Sequence, residues 1–384
     1  MEPLKNLFRT EAVLHIAGQL EKVGLFHAKK ELQKILNKID SLELKERVKL
    51  IAETLATIFP NDIHQSYRFI EKTLAPIKEK KALGNEMNDY FALNPEGLHG
   101  FLLWPFTEFI ASHGLDHPQE SLQLLKKITI LFTGEFAIRP FIIKYQDQIY
   151  EELYHWAQDE NEHIRRLASE GSRPRLPWGI KIESAILEPS KGIKILELLK
   201  YDDSLYVRKS VANHLNDITK DNPEIALKIF KKWKKELKPI HKNKIEWIIK
   251  HGGRNLIKAG HPQMLQLIGV NSKTPLKLKN PLLNKKTVKI GETVELSTLI
   301  ENPDKKSHKM ILDYKIYYIR PSGKQTTKIF KGNTQIIKAH QKVPLKIKIP
   351  FKNSSIRTHF AGLHQIEIYF NGNPIKKLSV ILKK

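Results

Sequence analysis

From residue 11 to about 268, apolar side chains recur at three- and four-residue spacing in segments parted by short polar breaks. The spacing predicts helices over 11–22, 28–39, 44–58 and 63–74, an irregular stretch over 78–97, and a further helix over 98–112. More helices are predicted near 118–132, 135–157, 160–170, 180–187, 189–200, 204–216, 223–237 and 241–259. Two starts carry clear signals: Asp203-Ser204, and Asp221-Asn222-Pro223-Glu224 with proline at the first helical position. After residue 270 the period changes to two. Short alternating runs occupy 287–290, 293–299, 310–319, 326–330, 343–349, 364–370 and 377–382. Turn signals separate them at Gly291, Asn302-Pro-Asp304, Pro321-Ser-Gly323, Gly332-Asn333 and Asn371-Gly-Asn-Pro374. About seven strands at this spacing predict an immunoglobulin-like β-sandwich. The expected organisation is therefore mainly α: a helical domain over 1–270, then a sandwich over 271–384.

A weak internal repeat bears on the helical part. Ile164-Arg-Arg-Leu-Ala aligns with Val207-Arg-Lys-Ser-Val-Ala, 43 residues on (207 − 164), with the alanines one place out of register. Acidic, turn-forming residues precede each copy, Asp159 and Asp202-Asp203. The period suits HEAT-like helical hairpins stacked as a solenoid, whose inner helices line a concave surface. A plain helical bundle is the alternative.

Charge divides the chain unevenly. Residues 1–160 carry 19 Lys+Arg against 23 Asp+Glu, a net of −4. Residues 161–270 carry 22 against 12, net +10, and residues 271–384 carry 24 against 6, net +18. A polyanion bound by the middle and C-terminal parts is the reading this supports, with nucleic acid ahead of an anionic membrane surface. A lysine-rich solvated surface is the plainer account. The chain has no cysteine, which excludes disulfides, zinc-thiolate sites and thiol nucleophiles. The first nine residues lack an apolar core of signal-peptide length, and no apolar run reaches transmembrane length, so a cytoplasmic protein is expected.

The densest chemistry lies between Ile164 and Trp178: Arg165, Arg166, Arg173, Arg175, one carboxylate (Glu170), two prolines and the tryptophan. Gly171 reads as the residue just past a helix, which sets Glu170 at the negative end of the helix dipole. Glu135 and Asp217 lie 35 and 47 residues either side of Glu170, about one hairpin repeat each, and could project onto one face. Singly, Glu135 fits a first helical turn capped by Thr133 with Arg139 one turn on, and Asp217 falls at a predicted helix end. Carboxylates converging inside a basic surface suit a cationic base or an oxocarbenium-like sugar, as in cleavage of an N-glycosidic bond. Trp178, between Pro177 and Gly179, either stacks on a base or sugar or closes its loop. Arg173 and Arg175, flanking Pro174, suit phosphate contacts, and Arg208, Lys209, Arg254 and Lys258 could extend a phosphate track. The Lys231–Lys235 cluster reads as a solvated helix face. No Gly-rich phosphate loop, His-Glu-x-x-His or Gly-x-Ser-x-Gly motif is present, and the sixteen histidines are scattered, so no metal or cofactor is expected.

The run Arg165-Arg-Leu-Ala-Ser-Glu-Gly-Ser-Arg-Pro-Arg-Leu-Pro-Trp178, with Tyr206-Val-Arg-Lys-Ser-Val-Ala-Asn-His-Leu-Asn-Asp217, closely resembles the AlkC branch of the AlkD/AlkC DNA alkylation-repair glycosylases. Leu103-Trp-Pro-Phe106, Thr133-Gly-Glu135 and Arg254-Asn-Leu-Ile-Lys258 support the likeness, and part of that branch carries an immunoglobulin-like C-terminal domain. The resemblance implies a HEAT-like-repeat enzyme that releases the cationic N3-alkylated bases 3-methyladenine and 3-methylcytosine from duplex DNA; a self-contained catalytic groove would work as a monomer. It also implies that Glu135, Glu170 and Asp217 form the acidic cluster, that Trp178 presses on the lesion or its sugar, and that Arg166 organises the site. The competing reading is a non-enzymatic HEAT-repeat module that binds nucleic acid. A peptide- or membrane-docking scaffold is a third.

Overall fold

A computed structural model describes residues 3–77, 93–354 and 357–384, so most of the expected irregular stretch, 78–92, lies outside the described residues. The chain forms two compact units, Met1–Asp221 and Asn222–Lys384. The change from helix to strand falls between Leu267 and Lys277, near the expected 270, whereas the division between units comes a group of helices earlier.

The first unit is helical. Its elements are α1 (Thr10–Lys22), α2 (Ala28–Gln33), α3 (Leu36–Ile39), α4 (Leu44–Ile58), α5 (Ile63–Thr73), α6 (Trp104–His113) and α7 (Pro118–Thr129). They continue with α8 (Ile138–Lys144), α9 (Gln146–Trp156), α10 (Glu162–Gly171), α11 (Glu183–Leu187), α12 (Ser190–Leu199) and α13 (Leu205–Asp221). Local chemistry sets the starts. Asp62 caps α5 by accepting from the Gln65 N–H, Asn161 caps α10 by accepting from that of His163, and α7 opens on proline. The single helix expected over 135–157 is two, broken at Tyr145. Apolar stripes meet in a core that includes Phe106, Phe141, Trp156, Leu167, Val211, Leu215 and Ile218, all buried.

The 43-residue repeat is present as geometry. Helices α10 and α13 start at residues 162 and 205, and they pack on each other. Arg165 donates to the carbonyls of Asp159 and Glu160, and Arg208 donates to those of Asp202 and Asp203, the same pattern shifted by 43. Each arginine closes the turn ahead of its own helix.

The second unit opens with α14 (Pro223–Lys235), α15 (Lys242–Gly252), α16 (Arg254–Lys258) and α17 (Pro262–Leu267). The strands are β1 (Lys277–Leu283), β2 (Thr287–Lys289), β3 (Thr293–Glu301), β4 (His308–Ile319), β5 (Gln325–Ile337), β6 (Lys342–Pro350), β7 (Gly362–Phe370) and β8 (Asn373–Lys383). One sheet has the order β1-β3-β6 and the other β2-β8-β7-β4-β5, antiparallel except for β2 with β8. Alternate residues of β3 (Val294, Leu296, Ile300) meet Leu312, Ile316, Ile366 and Ile368 between the sheets. The sequence reading missed β1, whose Asn280-Pro281 irregularity interrupts its pairing. It also expected a turn at Gly332-Asn333, where β5 in fact runs through. A Cβ at Gly332 would overlap the Leu312 carbonyl, so glycine there serves a close approach. Leu265 and Ile268 pack on Val270 and Ile311, which ties the last helices to the sandwich. With the boundary at 221, the basic surplus belongs wholly to this unit: 35 Lys+Arg against 9 Asp+Glu, net +26, versus 30 against 32, net −2, before it.

Candidate active site

The three acids expected to converge do so, within the helical unit, as links of one ionic chain. Arg166, on α10, bonds Glu135 and lies 3.7 Å from Glu170. Arg173 donates from its Nη1 to Glu170 Oε1 at 2.6 Å and from Nε to Asp217 Oδ2 at 2.8 Å. Lys220 holds the other oxygen of Asp217 at 2.9 Å. Ser210 donates to Glu170 Oε2 at 2.6 Å and lies 2.9 Å from Ser169 Oγ. Burial alone would push the Glu170 carboxyl up, but Arg166, Arg173 and the Ser210 hydroxyl together hold it below its ordinary value, so it is ionised. Burial opposes charge on Arg166 too, and Glu135 and Glu170 outweigh it, raising the guanidinium pKa. Its plane lies 5.2 Å from the Tyr206 ring.

The links differ in what they leave available. Glu170 and Asp217 use both oxygens on internal partners. Among the described residues Glu135 engages partners through Oε2, toward Arg166 and the Thr133 hydroxyl, the latter at 2.5 Å. Its side chain is 11% exposed, against 7% for Glu170 and 1% for Asp217. Glu135 lies in the turn before α8, where Phe136 stacks on Trp104 at 5.5 Å and 18°. Three carboxylates face Arg166 and Arg173 inside the site and Lys220 at its edge, so the cluster is balanced in charge.

The loop after α10 is fixed by a residue to which the sequence reading gave another role. Arg139 is fully buried, and its guanidinium donates to the carbonyls of Gly171, Arg173 and Ile180 at 2.6–2.8 Å. Burial lowers its pKa to about 10, which still leaves it charged at neutral pH. With Arg173 it puts two cations at the C-terminus of α10, which compensates Glu170's position against the dipole. Trp178 stands on this loop, 61% exposed, with φ of 67°. A bulky non-glycine residue at positive φ costs about 1–2 kcal/mol and signals a functional constraint. Lys45 donates to the Trp178 carbonyl, and Leu4, Leu44 and Trp178 line a cleft of about 440 Å³.

Four expectations change. Arg173 is no phosphate contact, since it is buried between Glu170 and Asp217. Asp217 is not at a helix end, because α13 runs on to Asp221. Arg139 clasps backbone carbonyls instead of pairing with Glu135. Arg208 closes a turn and is no free cation of a track. Arg175 pairs through two nitrogens with Asp221, at 2.6 and 2.7 Å. Lys209 and Lys258 are exposed, and Arg254 and Lys258 share a cleft of the second unit with Lys250, Lys309 and Lys331. Ser210 also went unnoticed, although it is the polar residue where the first repeat copy has Leu167.

The solved structure of alkylpurine DNA glycosylase AlkC from Pseudomonas fluorescens, bound to DNA containing an abasic site analogue, matches the chain with a TM-score of 0.87 and 32% identity, covering 100% of both chains. The chain belongs to the AlkC branch. The chain is also similar to the uncharacterized protein YhaZ of Bacillus subtilis (strain 168), 35% identical over 332 residues, 86% of this chain and 85% of that one. Residues 277–384 match the family model of the C-terminal Ig-like domain of uncharacterised protein YhaZ, in agreement with the sandwich. No helix among the described residues is long and apolar enough to cross a membrane.

Proposed function

We propose that the chain is a DNA glycosylase that hydrolyses the N-glycosidic bond of cationic N3-alkylated bases, 3-methyladenine and 3-methylcytosine, in duplex DNA. The observation that carries the reading is the Glu135–Arg166–Glu170–Arg173–Asp217 chain, with Glu135 Oε1 without a partner among the described residues, in a protein of AlkC fold. In the reaction the C1′–N bond breaks and its electrons pass to the base, which leaves neutral. The sugar becomes oxocarbenium-like, and the Glu135 carboxylate, the most exposed of the three, stabilises it. Glu135 Oε1 orients the water that attacks C1′ and takes its proton. Arg166 and Arg173 keep Glu170 charged and fix the positions of Glu135 and Asp217, and Trp178 contacts the lesion or its sugar. The second unit, at net +26, grips the phosphate backbone through cations such as Lys258, and Lys209 adds to that grip from the helical unit. DNA as substrate implies an intracellular protein.

Incubating the protein with methylated duplex and identifying the released bases by chromatography tests this. Glu135→Gln and Glu170→Gln should each slow single-turnover release by about 10²-fold or more while DNA affinity holds. Absence of release by the native protein, or full activity in both variants, favours the second reading, a nucleic-acid-binding module. One observation supports that alternative: Glu170 and Asp217 have both oxygens engaged internally.

A further inference from the structure

A second cluster of ligating side chains lies at the paired N-terminal ends of α5 and α7, within the helical unit. His64, His117 and Glu120 bring their ligating atoms within 4.8 Å of one another. His117 and Glu120 are three apart at the start of α7 and so share a face, and His64 faces them from the first turn of α5. The two imidazole rings meet edge-on at 5.3 Å.

The scaffold beneath is rigid. One turn further along both helices, Tyr67 Oη and Ser121 Oγ are 2.6 Å apart and buried, and Ser121 also donates to the Gly114 carbonyl at 2.9 Å. A Cβ at Gly114 would overlap both hydroxyls, so the tight approach depends on glycine there. At the far end, Lys127 bonds Glu71 at 2.6 Å. Register between the helices is therefore set before any ligand arrives. Asp62 and His113 share a cleft of about 430 Å³ with His64 and His117, which leaves room for a water in a fourth coordination position.

We infer that His64, His117 and Glu120 form a binding site for a borderline divalent transition metal, Zn²⁺ being the best match. Two neutral nitrogens and one carboxylate oxygen are the donor set that Zn²⁺ favours over Mg²⁺ or Ca²⁺. Bonds of about 2.0–2.1 Å in a tetrahedron require ligand atoms about 3.4 Å apart. Rotation of the exposed His64 side chain supplies that closure. The metal would clip α5 to α7, the helix that leads into the Thr133–Glu135 turn, and its role is structural.

Equilibrium dialysis and thermal denaturation of the full chain with Zn²⁺ test the site independently of base release. The native protein should bind one Zn²⁺ that raises the melting temperature, and Mg²⁺ should give no shift. His64→Ala, His117→Ala and Glu120→Gln should each weaken that binding about tenfold or more, while their metal-free melting temperatures stay near the native one. His155→Ala, at an exposed histidine on α9, should bind as the native protein does. No Zn²⁺-dependent shift in the native protein, or an undiminished shift in the His64→Ala and His117→Ala variants, overturns the inference.

Discussion

Replacing Arg173 by methionine keeps most of the side chain's volume and removes its charge. The side chain is 6% exposed and bonds Glu170 and Asp217, themselves 7% and 1% exposed. Without it, two ionised groups remain in a site that water barely reaches. Breaking a buried pair in this way costs about 3–5 kcal/mol, against about 0–1 for an exposed pair. For a helical unit of this size each kcal/mol shifts the melting temperature by about 2–4 °C, so the loss should be about 6–20 °C. Acidity gives an independent signature. In the native protein Glu170 titrates below its ordinary 4.5, so its stabilisation is present above pH 4.5 and lost as pH falls. In the variant, protonating Glu170 relieves a buried charge that has lost its nearest partner, and the gap between the two proteins should narrow as pH falls toward and below 4.5. Thermal melts followed by far-ultraviolet circular dichroism from pH 7 to 3.5 measure both effects. Adding Glu170→Gln and Asp217→Asn to the variant should restore most of the lost stability. A drop under about 3 °C at pH 7, or a gap constant across the acid range, would refute the assignment of Arg173 as the central electrostatic link.

Three further outcomes are expected. His214 is buried on α13, and burial lowers its pKa from 6.5 to about 4, so stability should be flat above pH 6.5 and fall by about 3 kcal/mol between 6.5 and 4; His214→Leu should flatten that limb in denaturant titrations. Trp178→Gly removes the positive-φ penalty and should raise the melting temperature by about 2–4 °C, while base release from methylated duplex falls at least about tenfold; full activity would leave the ring without its proposed contact. Lys209→Ala combined with Lys258→Ala should lower the slope of log affinity against log salt by about 2 in fluorescence-anisotropy titrations, and an unchanged slope would remove both residues from the backbone contacts.

Local chemistry was readable where the cause was local. The proline start of α14 and the alternation along β3 each follow from neighbours within a turn or a strand, whereas Gly171, expected just past α10, is its last residue, with Ser172 as the cap. The three acids do converge, but not as repeat equivalents: the 43-residue shift matches Glu170 with Asn213, and the meeting depends on α10 packing on α13 beside the turn before α8. Arg173 was misjudged because its second partner, Asp217, lies 44 residues away, and only the packing of α10 on α13 unites them. Asp217 itself could have been read better. Val207, Val211, Leu215 and Ile218 carry the apolar stripe past the expected end of the helix, so Asp217 belongs to its interior. Arg139 left no trace of its role, since its acceptors are main-chain carbonyls, which every residue possesses. The His64 and His117 pairing was invisible for a similar reason: each histidine is unremarkable in its own helix until α5 and α7 meet.

A largely exposed aromatic ring on a clasped loop has a kinetic consequence on the glycosylase reading. Arg139 has already removed the freedom of the segment that carries Trp178 during folding, so no loop needs to freeze when a duplex arrives. Inspection of each undamaged base pair then takes only as long as thermal sliding allows. Dwell time accumulates where a weakened pair yields to the indole, which makes discrimination a matter of residence more than of shape change.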